Sequence, residues 1–179
     1  MVYVLLANGF EEIEALAFTD ILRRAEIDVR TVSITSDKQV SGSHGITVLS
    51  DITISQVNIS DLTAVVLPGG MPGTLNLKGS TQVTELLEYA HSNNKYIGAI
   101  CAAPMVIGEM GILKHKKATC YPGFEKHLIG ADVVNEKVVI DGKVITSKGA
   151  GTVADFAHGF VTELKDKKTA DNIISSMQY

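Results

Sequence analysis

Residues 2–35 read VYVLLANGFEEIEALAFTDILRRAEIDVRTVSIT, and three patterns follow one another inside them. The run VYVLLA (2–7) is continuously apolar, as expected of a strand covered on both faces. From Glu12 to Ala25 the positions Ala17, Phe18, Ile21 and Ala25 recur at three- and four-residue spacing, the period of an amphipathic helix. DVRTVSIT (28–35) then returns to strand composition. Strand, helix and strand in this order make a βαβ unit, which implies a parallel sheet with helices packed on its faces.

The alternation continues outward. LTAVVL (62–67) and KYIGAI (95–100) read as buried strands, with helices over Ser80–His91 and Ala102–Met110, the second stopped by Gly111. KQVSGSHGITVLSD (38–51) carries short β-prone pieces around Gly42–Gly45 and reads as a small antiparallel excursion. Short strands follow near 117–120, 131–134, 137–140 and 143–147, and Asp141-Gly142 predicts a hairpin between the last two. A helix over Thr152–Leu164, with Thr152 and Asp155 spaced as a capping-box variant, and an amphipathic helix over Lys168–Met177 complete the pattern. No repeat, low-complexity tract or long linker interrupts it, so the expectation is one α/β domain over 1–179.

Composition narrows the function classes. Of 179 residues, 45% are hydrophobic and 20% charged, which supplies a sizeable core and argues against disorder. Sixteen basic against twenty acidic residues give a net charge of -4 with no long run of like charges, so sequence-specific nucleic-acid binding is not expected. The first apolar run meets Asn8, Gly9 and two glutamates without a basic segment before it, which predicts neither a secretion signal nor a membrane span. Two cysteines, Cys101 and Cys120, make no disulfide framework and lack zinc-site spacing, so the expected compartment is the reducing cytoplasm and no metal is expected.

In an open parallel sheet, ligands sit at the carboxyl ends of the strands, where the strand order reverses. The residues just past three strands are Asn8 to Glu14, then Pro68, Gly69 and Gly70, then Cys101. Cys101 stands between YIGAI and the small residues Ala102, Ala103 and Pro104, which suits a sharp strand-to-helix elbow. A helix beginning at Ala102 would lower the thiol pKa through its dipole and free amides. Two readings stand: a nucleophile held in strained geometry, or an inert buried cysteine closing a core strand.

Glu14 shares the apolar stripe of its helix, and an inward carboxylate is costly unless partnered or protonated. Facing Cys101 it would have a raised pKa and, when protonated, could donate to the sulfur; otherwise it complements the helix dipole, as Glu11 and Glu12 are expected to do. The amides of Gly69 and Gly70, with that of Ala102, could form an oxyanion hole or belong to a plain turn. Neither a phosphate loop nor a dinucleotide fingerprint is present.

Taken jointly, GFEEIEAL (9–16), VVLPGGMPG (65–73), AICAAP (99–104) and TSKGAGT (146–152) resemble the ThiJ/PfpI superfamily, nearest to the branch of the Parkinson-linked protein DJ-one. The resemblance runs in order through residues 2–165. It implies a flavodoxin-like three-layer sandwich, a nucleophile elbow at Cys101, a protonated glutamate at Glu14, and a homodimer, for which the first helix is a candidate surface. The implied activities are cofactor-free glyoxalase (methylglyoxal and water to lactate), deglycation of early adducts on proteins and nucleotides, and a redox-sensing chaperone role with Cys101 oxidised to sulfinate.

Two departures from that family matter. Members resembling peptidases or amidotransferases have His directly after the cysteine, where Ala102 stands here, which weakens a peptidase or amidase reading. DJ-one-like proteins commonly place another His after a later strand, and Tyr121 occupies that position. Tyr121 and His44 are candidate substrate contacts. His91, His115, His127 and His158 are expected at the surface, and Cys120 in a buried strand.

Overall fold

The computed structural model describes residues 1–179. Strands β1 (Val2–Leu6) and β2 (Val29–Ser33) flank helix α1 (Glu12–Arg24), and β3 (Gln39–Ser41) pairs antiparallel with β4 (Thr47–Leu49) as a separate hairpin. Then come β5 (Ile52–Thr53), β6 (Ala64–Leu67), α2 (Gly73–Lys78), α3 (Thr81–Ser92), β7 (Tyr96–Ile100) and α4 (Pro104–Glu109). The chain closes with β8 (Lys117–Ala118), β9 (Asp132–Val133), β10 (Val138–Asp141), β11 (Val144–Ser147), α5 (Val153–Leu164) and α6 (Lys167–Ser176).

Seven strands form the central sheet in the order β10-β11-β7-β6-β1-β2-β5, and every pairing is parallel except β10 with β11. Side chains alternate across it as the pleat requires. Tyr3 and Leu5 face a core completed by Leu77 of α2, Val83 and Leu87 of α3, and Ile107 of α4. Val2, Val4 and Leu6 face a second core with Phe18 of α1, Phe156 of α5 and Ala170 of α6. The result is the α/β, flavodoxin-like three-layer sandwich with a mostly parallel sheet.

One glycine shows why the strand sequences read as they do. Gly98 in β7 lies under the rings of Phe156 and Phe160, which cluster with Phe18 at centroid separations of 5.1–5.2 Å, and a Cβ there would come within 2.5 Å of the Phe160 ring. The aromatic trio takes the volume that a side chain would fill.

The helices depart from the sequence reading in three places. The helix expected from Ala102 begins only at Pro104 and has six residues, because Ala103 and Met105 make tighter amide bonds to Ile100 and Ala102 and proline then fills the first helical position. Thr152 makes no side-chain cap on α5: its hydroxyl turns back to the preceding turn, donating to Gly149 O at 2.9 Å, accepting from Gly149 N–H at 3.2 Å and meeting the Ser147 hydroxyl at 2.7 Å. Helix α2 was not expected at all, since its six residues are too few for periodicity to register.

Candidate active site

The chain runs from β1 outward to β2 on one side and, through the later strands, from β6 to β7 on the other, so the strand order reverses beside β1. The carboxyl ends of β1, β6 and β7 therefore border one crevice, and the three segments singled out above meet there. Cys101 follows β7 with φ +64°, a left-handed conformation that costs a non-glycine residue on the order of 1 kcal/mol. Two backbone bonds hold it: its N–H donates to Ser147 O at 2.9 Å, and its carbonyl accepts from Tyr121 N–H at 2.8 Å. The residue is half-buried, with the amides of Ala102 and Gly70 directed at its sulfur.

Glu14 points into the same crevice from the first turn of α1 and is 1% exposed. Its Oε2 accepts from Gly69 N–H at 2.7 Å, while its buried Oε1 has no hydrogen-bond partner. A side chain at Gly69 would meet Cys101 Cβ at 2.6 Å and Glu14 Oε2 at 2.9 Å, so only glycine lets these two side chains converge. Gly70, at φ +87°, is equally constrained, since a Cβ would lie 2.4 Å from Glu11 N. The glycine pair thus divides its work: the Gly69 amide is spent on the carboxyl, and the Gly70 amide remains at the sulfur.

Burial dominates the electrostatics of the pair. It pushes the Glu14 carboxyl up to about 7, against the lowering effect of the Gly69 amide and of Cys101. Burial, followed by the charge of Glu14, pushes the Cys101 thiol up to about 12, against the amides of Ala102 and Gly70. The expectation of a thiol pKa lowered by the helix is therefore corrected. The two amides act in the expected direction, but the short helix starts two residues later than expected and desolvation outweighs them. When Glu14 is neutral its repulsion vanishes, and its O–H becomes a donor to a developing thiolate.

Tyr121 stands at the rim, half exposed. A Cβ built on Gly149 would lie 3.4 Å from the Tyr121 ring and 3.8 Å from Glu14 Oε1, so Tyr121 and Gly149 wall the open side of the carboxyl. The sequence reading had not singled out Gly149. His44 is exposed, with its Nδ1 2.9 Å from Glu12 Oε2, and it makes no hydrogen bond to Cys101 or Glu14. No histidine is among the groups that shift the proton affinity of the thiol. Cys120 is buried as expected but lies past the end of β8 rather than in a strand, and its thiol is pushed up to about 11 by desolvation.

Glu12 overturns its expected role as a solvated dipole partner. It is buried, and it accepts from His44 N–H at 2.8 Å and Ile46 N–H at 3.3 Å, latching the β3–β4 hairpin to α1. Burial works to raise its pKa, but the His44 side chain and the surrounding amides bring it down to about 2. With Glu11 it forms the group Glu11, Glu12 and His44, whose ligand-type atoms lie within 4.8 Å of one another; the hydrogen bonds already made by Glu12 account for that convergence.

Comparison with known proteins gives the arrangement its relatives. Protein DJ-1 homolog A of Arabidopsis thaliana is 36% identical over 177 residues, which is 97% of this chain and 45% of that protein. The chain thus spans less than half the length of that relative. A deglycase of Pyrococcus abyssi is 30% identical, matching 92% of this chain and 99% of its own length. Among solved structures, oxidised DJ-1 of Toxoplasma gondii superposes with a TM-score of 0.94 at 33% identity, covering 99% of this chain and 97% of that one. The model of the DJ-1/PfpI family matches residues 1–163, and the chain belongs to the DJ-1/PfpI family.

Proposed function

We propose that residues 1–179 form one domain, a Cys101-dependent, cofactor-free enzyme that acts on small reactive carbonyls such as methylglyoxal or its adducts. The observation that carries this reading is the convergence of three groups on one sulfur: the strained elbow, the Ala102 and Gly70 amides, and the buried Glu14 carboxyl. The deglycase among the relatives supports the substrate class.

The steps balance without a cofactor. The Cys101 sulfur adds to the aldehyde carbon, the new C–O oxygen is held by the two amides and takes up the thiol proton, and a hemithioacetal results. Glu14 moves the proton of that carbon to the neighbouring carbonyl carbon, while the hemithioacetal hydroxyl proton passes to the oxygen of that neighbour, leaving a thioester of the hydroxy acid. Water then cleaves the thioester, releasing lactate and restoring the thiol. A carboxyl that titrates at about 7 can both accept and return the proton near neutrality.

A second reading has its own support. Peroxide could oxidise the thiol in two steps to a sulfinate, which the same amides and the protonated Glu14 would hold, giving a stress-protective redox sensor or chaperone; an oxidised family member is among the structural neighbours. A peptidase or amidase is disfavoured by Ala102 and by the absence of an imidazole at the thiol. We further assign the protein to the cytoplasm as a homodimer. Its candidate surface joins exposed Ile13 and Leu16 of α1 to Ile46 and Leu49 at the latched hairpin.

Lactate formation from methylglyoxal by the purified protein and by Cys101→Ser tests the proposal, with intact mass recorded before and after mild peroxide. Turnover that disappears in Cys101→Ser is expected. Absence of turnover, with a Cys101-specific gain of two oxygen atoms, would transfer the assignment to the redox role.

A further inference from the structure

At the opposite end of the sheet from Cys101, where β7 and β11 begin, lies a cavity of about 460 Å³. Three half-buried lysines, Lys95, Lys116 and Lys143, line it together with His91, Tyr96 and Glu163. Half-buried lysines lay their alkyl stems along the protein and keep their ammonium groups at the edge of solvent, here around one cavity. Lys116 has a carboxylate partner, with its Nζ 3.6 Å from Asp141 Oδ1, whereas Lys95 and Lys143 form no ion pair.

The walls are fixed by specific contacts. Lys143 Nζ sits 3.8 Å from the centre of the Tyr96 ring, and the Tyr96 hydroxyl donates to Glu163 Oε2 at 2.8 Å. The ammonium is thus held over an aromatic face at the cavity wall. Three lysine cations against Glu163 and the Asp141 that backs Lys116 leave local positive charge in a chain whose net charge is -4. Their mutual repulsion is relieved by a bound anion.

We propose that this cavity binds the phosphate group of a small phosphorylated molecule. The lysines supply charge and donors to the phosphate oxygens, and the Tyr96 ring with Ile97 and Val144 offers an apolar surface to the rest of the ligand. The volume is within the usual range of small-ligand sites, roughly 300–1,000 Å³. The site is five strand residues away from Cys101 along β7 and does not depend on the reaction proposed there.

The test is a backbone-amide NMR titration at constant ionic strength with inorganic phosphate, ribose 5-phosphate and AMP, using chloride as the control. Saturable shifts centred on Lys95–Ile97 and Gly142–Val144 are expected. Lys95→Met and Lys143→Met should each weaken binding about tenfold, and Lys143→Arg should retain it. Glu163→Gln should tighten binding, because it removes a carboxylate from the wall while its amide oxygen still accepts from Tyr96. Tighter binding of AMP than of ribose 5-phosphate identifies the source as a nucleotide, and equal binding identifies a sugar phosphate or free phosphate; both uphold the site. Shifts that do not saturate, that chloride reproduces, or that survive both Lys→Met changes overturn it. The same spectra report whether each variant is folded.

Discussion

Replacing Glu14 by glutamine should change how stability depends on pH, and the sign follows from burial. In the unfolded chain this carboxyl titrates near 4.5, and in the folded protein burial raises it to about 7. A raised folded-state pKa means that the group's contribution is fully present below about 4.5 and is lost as pH rises through about 7. A difference of this size corresponds to about 3 kcal/mol, since each unit is worth about 1.4 kcal/mol. Glutamine has nearly the same shape, still accepts from the Gly69 amide through its carbonyl oxygen, and does not titrate. The Cys101 thiol, pushed up to about 12, ionises outside this window and leaves the comparison clean. Urea unfolding of wild type and Glu14→Gln under reducing conditions, from about pH 4 to pH 8, should show the variant gaining on wild type by about 3 kcal/mol as pH rises. A difference between the two that stays constant across this range would refute the reasoning.

Three other outcomes are expected. Thiolate titration by ultraviolet absorbance and alkylation rate should place the Cys101 pKa about 1–2 units higher in Glu14→Ala than in Glu14→Gln, because only glutamine keeps a neutral donor in the crevice; equal values would remove the contact. Gly98→Ala should lose about 1–3 kcal/mol in chemical denaturation by overpacking the Phe160 ring, with alkylation of Cys101 unchanged. Glu12→Ala should release the hairpin latch, raising hydrogen exchange at the His44 and Ile46 amides at least about tenfold while sheet amides keep their protection.

The order of strands and helices was legible because buried parallel strands are long apolar runs and α1, α3 and α5 are long enough to show a period. The elbow was legible from the small residues around Cys101, and the inward Glu14 from its place on an apolar stripe. Other features depended on contacts distant in sequence. Glu12 looks like any first-turn acid until residues 43–46 fold over it, and the separate tasks of the Gly69 and Gly70 amides follow only from where Glu14 and Cys101 arrive. The direction of the thiol pKa failed for a similar reason: local amides can be read from the elbow, whereas desolvation is a property of the packed whole. Gly149 escaped notice because its meaning lies in its nearness to Tyr121 and Glu14.

The crevice is assembled on β1, β6 and β7, three adjacent strands inside the sheet with neighbours on both sides and buried along their whole length. Interior strands of this kind open only when the entire molecule opens, unlike the lids and mobile loops that carry many binding sites. Loss of chemistry on heating should therefore coincide with loss of the fold, with no earlier stage in which a folded protein has a disordered site. A site built this way has no separate clock: the arrangement of Cys101, Glu14 and the glycine pair lasts for as long as the sheet that carries it.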